Sequence, residues 1–193
     1  MSFSSLSRYK GAWRRFDVFK INFDNFGKNK KGKIVVVSDY AHHPTEVKAT
    51  LLAAREKFPS KKIIVVFQPH QHQRLFHLFD DFVKTFSSLI LFDEGRNRRV
   101  IDKLIITDVY IAAGREDEKI AKGVNSRGLA DEINSQIKSL RAEKVVYISS
   151  ENNFRKIKAY LEENLKGGEV VLFMGAGDIY NLLTEIVKKA KIK

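Results

Sequence analysis

Cysteine is absent from the 193 residues, which excludes disulfides and every thiolate metal site. No early segment joins a long apolar run to a cleavage-like site, so neither secretion nor membrane spanning is expected, and the expected compartment is the cytoplasm. A Gly-x-Ser-x-Gly elbow is lacking, which removes the common nucleophilic hydrolase. His42-His43 lacks the i, i+4 spacing of a zinc-protease helix and has no glutamate between its members, so a catalytic zinc is not expected there, nor metal ligation by His70 and His72. Acidic residues are scarce: 23 Asp and Glu face 35 Lys and Arg, for a formal charge of +12. That excess is lopsided. Residues 1–33 hold nine Lys/Arg against Asp17 and Asp24, a net +7, and the tail from Glu185 adds +3, so the body between is close to balanced. A basic arm without a nucleic-acid motif does not read a groove, and no nucleic-acid partner is expected.

The length suits one domain with an arm, divided as 1–33 and 34–193. Five short apolar runs read as strands buried on both faces: Ile34 to Val37, Ile63 to Phe67, Leu104 to Ile106, Val145 to Ile148 and Val170 to Phe173. Between them the period becomes helical. Val47, Leu51, Ala54 and Phe58 form one stripe behind Pro44, and Leu129, Ile133, Ile137 and Leu140 a second. Phe154, Ile157, Leu161 and Leu165 form a third, and Ile179, Leu182, Leu183, Ile186 and Val187 a fourth. Such alternation predicts a Rossmann-like α/β fold: a doubly wound, mostly parallel sheet of five to six strands with helices on both faces. Leu75, Leu78, Phe79, Phe82, Val83 and Phe86 also make a helical face, while Leu89 to Phe92 reads equally as more helix or as a strand. Residues 1–33 carry glycines and spaced aromatics (Trp13, Phe16, Phe19, Phe23, Phe26), the pattern of a connector followed by a hairpin edge.

Ligands of doubly wound sheets collect outside the carboxyl ends of the strands, and the unusual polar residues fall there. Asp39, Tyr40, His42 and His43 follow the first run, Gln68, His70 and Arg74 the second, Asp108 and Tyr110 the third. The histidines are either caps and packing groups at a helix start or, with Gln68 and Arg74, recognition groups for a carboxylate or phosphate. Gly175-Ala176-Gly177-Asp178 is either a tight turn or a loop whose amides face an anion. Arg14 and Arg15 are either a surface pair or cations that face a phosphate.

Six runs then stand together: Gly11-Ala12-Trp13-Arg14-Arg15-Phe16, Asp39-Tyr40-Ala41-His42-His43-Pro44-Thr45-Glu46, Phe67-Gln68-Pro69-His70, Leu78-Phe79-Asp80-Asp81-Phe82, Asp108-Val109-Tyr110 and Gly175-Ala176-Gly177. In this order and spacing, over about residues 6–187, the chain resembles the carboxyl-terminal domain of the Mur ligases. The Gln-Pro-His run favours the branch that adds L-alanine to UDP-N-acetylmuramate over the one that recycles murein tripeptide. The resemblance implies an ATP-dependent amide-forming ligase of peptidoglycan precursor synthesis with two further domains, an amino-terminal one for the UDP-sugar and a central one for ATP and most of the Mg2+. No Gly-x-x-x-x-Gly-Lys-Ser/Thr loop occurs in this sequence, so the chain alone is expected to be inactive.

By resemblance Arg15 reaches the ATP phosphates, Asp39 is the hinge aspartate that meets the nucleotide, and Tyr40 flanks it. His42, His70 and Arg74 line the pocket for the incoming amino acid and the muramoyl carboxylate. Two departures stand out: Gln71 and Leu75 occupy positions where the family usually has arginine and threonine, and residues 87–103 look inserted. A competing reading is a non-catalytic module that docks on a partner carrying the ATP site or binds an anionic nucleotide without chemistry.

Overall fold

The structure, a computed structural model, describes residues 14–22, 32–93, 98–112, 123–138 and 145–191. Strand β1 (Asp17–Asn22) leads to β2 (Lys33–Asp39), helix α1 (Pro44–Lys57) and β3 (Ile63–Phe67). Then come α2 (His72–His77), α3 (Phe79–Ile90), the short β4 (Phe92–Asp93) and β5 (Arg98–Arg99), and β6 (Lys103–Ile106). Helix α4 (Ser126–Gln136), β7 (Val145–Tyr147), α5 (Glu151–Asn164), β8 (Val170–Met174) and α6 (Ile179–Lys191) complete the chain.

Among the described residues the main sheet has six strands in the order β1-β2-β8-β3-β6-β7. Every pair is parallel except β1 with β2, whose antiparallel register runs from Asp17↔Ser38 to Asn22↔Lys33. The five apolar runs are all strands of this sheet, as their continuous hydrophobicity requires of strands covered on both sides. Along β8 the faces alternate. Val170, Leu172 and Met174 join α1 to α4 in one core, and Val171 and Phe173 join α5 and α6 in the other.

The helical stripes supply the other half of each core. Val47, Leu51 and Ala54 are buried on one side and Ile157, Leu161, Leu182 and Leu183 on the other. Leu140, Trp13, Phe23, Phe26 and residues 94–97 lie outside the described residues. The apolar face from Leu75 to Phe86 is two helices broken at Leu78, and the ambiguous Leu89 to Phe92 is both things. Leu89 and Ile90 end α3, while Phe92 pairs with Arg99 in a two-stranded ribbon. This 87–103 segment is fastened from within the domain. The Arg55 guanidinium donates to the carbonyls of Lys61 (2.7 Å) and Val100 (3.1 Å) and to Asp102 (3.1 Å), whose carboxylate also accepts the Ile63 amide. Among the described residues no helix is long and apolar enough to cross a membrane.

Candidate functional site

The carboxyl ends of β2, β3, β6 and β8 lie side by side, so the turns after them share one edge. After β2, Asp39 is 5 % exposed and its carboxylate accepts the amides of Phe16 (2.9 Å) and Ala41 (2.8 Å) and the Thr50 hydroxyl (3.2 Å). That arrangement fastens the turn before β1 to the first turn of the site. Pro44 opens α1 as its spacing predicts, and Glu46 turns back to accept the amides of His42 (3.1 Å) and His43 (3.3 Å). Burial works to raise the Glu46 pKa, but these bonds and the neighbouring His42 outweigh it and hold the carboxyl below its ordinary value.

The His42 ring is half-buried and its Nδ1 lies 3.0 Å from the Tyr40 carbonyl oxygen. A carbonyl only accepts, so Nδ1 carries a proton and, in the neutral ring, Nε2 holds the lone pair. Desolvation lowers the His42 pKa, and Arg74 and His43 push the same way against the Tyr40 bond and Glu46. The neutral ring is favoured. His70 sits 5.5 Å from His42 between ring centroids, and its Nδ1 lies 3.3 Å from an Arg74 guanidinium nitrogen. Arginine only donates, so here Nδ1 accepts and the proton of the neutral ring is on Nε2. The two imidazoles therefore carry opposite tautomers.

Tyr110 completes the row, stacked on His70 at 5.5 Å and fixed by backbone bonds to Pro69 and Gln71 at 2.8 Å each. Gln71 itself takes φ +63°, an unusual conformation for a non-glycine residue. Tyr40 meets His42 edge-on at 5.3 Å. The exposed Arg15 guanidinium lies 5.8 Å from the Tyr40 ring. Arg15, Tyr40, His42, His70 and Arg74 thus fall along one edge, with Asp39 buried beneath the first of them.

Gln68 belongs to the scaffold, contrary to its expected place among the recognition groups. It is 2 % exposed, donates to Asp178 at 2.6 Å and accepts the Ile179 amide at 3.0 Å, tying β3 to the start of α6. Asp108 is also committed internally. It accepts the hydroxyls of Tyr147, Ser149 and Ser150 and the Ser150 amide, and although burial opposes it, these bonds keep its pKa below the usual carboxylate value. The turn 175–177 is a tight turn whose carbonyls, not its amides, meet a charge. The Gly175 and Gly177 oxygens accept from the Arg14 guanidinium. Gly175 has φ +146°, and a Cβ there would lie 2.7 Å from the Gln68 oxygen, so glycine is required.

Sequence reasoning set Arg14 and Arg15 side by side without separating them. Residues 14–16 form a turn ahead of β1, with Arg14 and Phe16 at positive φ, so no strand alternation in the sequence separates the pair. Tyr110 was marked by its place after the third strand, whereas Tyr180 carried no mark, because its contact with Arg14 joins positions distant in sequence.

Comparison with known proteins decides the family. The family model described as "Mur ligase, glutamate ligase domain" matches residues 23–177. This chain belongs to the Mur ligase family. Among the Mur ligases, the UDP-N-acetylmuramate–L-alanine ligase of Alkaliphilus metalliredigens is 41 % identical over 175 residues, 91 % of this chain and 30 % of that protein. Its namesake from Clostridium novyi is 37 % identical over 177 residues, 92 % of this chain and 31 % of that one. The chain therefore spans about a third of the length of the relatives it matches. The fold recurs in the murein peptide ligase of Psychrobacter arcticus (TM-score 0.63, 17 % identity, 98 % of this chain and 32 % of that). It recurs too in a separately crystallised domain of a Haemophilus ducreyi ligase (TM-score 0.53, 17 % identity, 90 % of this chain and 98 % of that).

Proposed function

We propose that this chain is the carboxyl-terminal domain of a bacterial, cytoplasmic, ATP-dependent ligase that joins L-alanine to UDP-N-acetylmuramate in peptidoglycan precursor synthesis. On this reading residues 1–33 are the interdomain connector with its edge strand, 34–193 are the α/β domain, and amino-terminal and central domains are its partners. The observation that carries the proposal is the row of Tyr40, His42, His70 and Arg74 on the same sheet edge that receives the chain at residues 14–16. A domain hinged there closes that row over a site on its neighbour. The names of the relatives supply the substrates.

ATP supplies the phosphoryl group that turns the muramoyl carboxylate into an acyl phosphate. Arg15 is suited to the phosphates because its cation is exposed, and the Tyr40 ring beside it offers a flat flank to the nucleotide. Asp39 acts from below by holding the connector to the edge. On this reading Mg2+ is held mainly by the central domain; among the described residues of this one no group of three His, Cys, Asp or Glu is placed to hold a metal ion. Arg74 presents a planar fork to the alanine carboxylate. The lone pair on His42 Nε2 can take a proton from the alanine ammonium, which must become an amine before it attacks the acyl carbon. Attack forms the amide and expels phosphate.

The test joins this chain to the amino-terminal and central domains of a relative and follows phosphate release with ATP, UDP-N-acetylmuramate and L-alanine. Turnover that needs all three components, with none from the chain alone, supports the proposal. In the joined enzyme Arg74→Ala should raise the KM for alanine by about 10- to 100-fold, as loss of a charge-assisted fork does. An unchanged alanine dependence removes Arg74 from the site. A joined protein that binds nucleotide and never turns over returns the domain to the binding-module reading.

A further inference from the structure

The buried arginine of the connector has no part in the chemistry above. Arg14 is 5 % exposed, and its guanidinium donates to the carbonyls of Gly175 and Gly177 while lying 4.9 Å from the Tyr40 ring and 4.8 Å from the Tyr180 ring. Its own backbone is held as firmly. The Arg14 carbonyl accepts the Tyr40 amide (2.8 Å), its amide donates to Asp17 (2.9 Å), and two residues on the Phe16 amide donates to Asp39 (2.9 Å). Arg14 and Phe16 take φ +56° and +55°, a left-handed conformation that costs non-glycine residues about 1–2 kcal/mol each and persists only where the surroundings over-determine it.

We propose that Arg14 is the positioning residue of the hinge: its clamp on the 175–177 turn fixes the direction in which Arg15 leaves the domain.

Attachment of the arm does not need this clamp, because β1 is already secured along six register pairs. That ladder begins only at Asp17↔Ser38, so residues 14–16 lie beyond it. One guanidinium nitrogen, Nη2, reaches both carbonyls, Gly175 at 2.5 Å and Gly177 at 3.5 Å, and with the group held between two rings this opposes the rotation that the ladder leaves free. Desolvation lowers the Arg14 pKa, with Tyr40, Tyr180 and Asp39 opposing, so a buried cation is maintained here against a cost. Arg15 then moves with the domain as a rigid part of its edge.

The first test is independent of any reaction. In the 193-residue chain, nitrogen-15 relaxation should give the Arg15 amide an order parameter of about 0.85, falling below about 0.6 in Arg14→Ala while the Phe19 amide in β1 stays rigid. An Arg15 amide equally ordered in both proteins overturns the proposal. Arg14→Gln, which keeps a planar donor and loses the charged fork, replaces the alanine variant if that one does not fold. The second test rests on the ligase reading. In the joined enzyme Arg14→Ala should lower kcat by about 10- to 100-fold, the usual cost of misplacing a catalytic group by about 1 Å, with the alanine KM within about twofold. Added to Arg15→Ala it should cost nothing more, since a positioning residue acts only through the group it positions. Losses that multiply overturn the proposal. A joined protein without ligase activity counts against the proposed function and leaves the relaxation result to decide the hinge.

Discussion

Replacing Gly177 by alanine is a steric test of the site's inner wall. A Cβ at this position would lie 2.6 Å from Gln68 Oε1 and 2.6 Å from Tyr110 Cβ, about 0.8 Å inside ordinary contact at 3.4 Å. Neither neighbour yields freely. Gln68 holds the Ile179 amide and Asp178, and Tyr110 is bonded to Pro69 and Gln71 and stacked on His70. Overpacking of this kind costs about 1–3 kcal/mol, of which the narrower unfolded ensemble of alanine returns about 0.4–1 kcal/mol. The net loss, centred on about 1.3 kcal/mol and at most about 2.6 kcal/mol, lowers the Tm of a domain this size by about 3–5 °C at the centre and at most about 10 °C. Thermal unfolding followed by circular dichroism measures it, with Gly123→Ala as control, because nothing lies within 4 Å of a Cβ there and its effect should stay within about 0.5 kcal/mol. A Gly177→Ala protein as stable as the parent, with the Tyr110–His70 stack intact, refutes the reasoning.

Asp108→Ala strands the donors from Tyr147, Ser149 and Ser150 and should cost about 2 kcal/mol in urea unfolding, whereas a distant surface aspartate such as Asp131 should cost almost nothing. Because the folded Asp108 pKa is depressed, its contribution is present above pH 3.8 and is lost as pH falls through the folded value. A parent protein and Asp108→Asn variant with parallel acid unfolding curves would count against that assignment. His42 is also depressed, from 6.5, so the unfolded chain binds its proton first and stability should decline as pH drops below about 6.5; His42→Gln should flatten that part of the curve.

The strands were legible because burial on both faces leaves a continuous apolar signature, as in Ile63 to Phe67 and Val170 to Phe173. Helices such as α1 and α6 were legible for a related reason, since each shows one apolar stripe. Leu78 was not legible as a break: it lies on the apolar face of both helices that meet there. At the site, His42, His70 and Arg74 could be nominated from their positions after strand ends, but Gln68 shares that placement and is internal structure. Its partners, Asp178 and the Ile179 amide, are about 110 residues away. Sequence alone therefore determined the layered α/β architecture and which edge carries polar chemistry, because hydrophobic period is a local property of the chain. Only the tertiary structure decided which polar groups face outward, how the two imidazoles are protonated, and which of two adjacent arginines is buried. Those outcomes depend on which turns the β1-β2-β8-β3-β6-β7 order brings into hydrogen-bonding distance, and no local pattern encodes that distance.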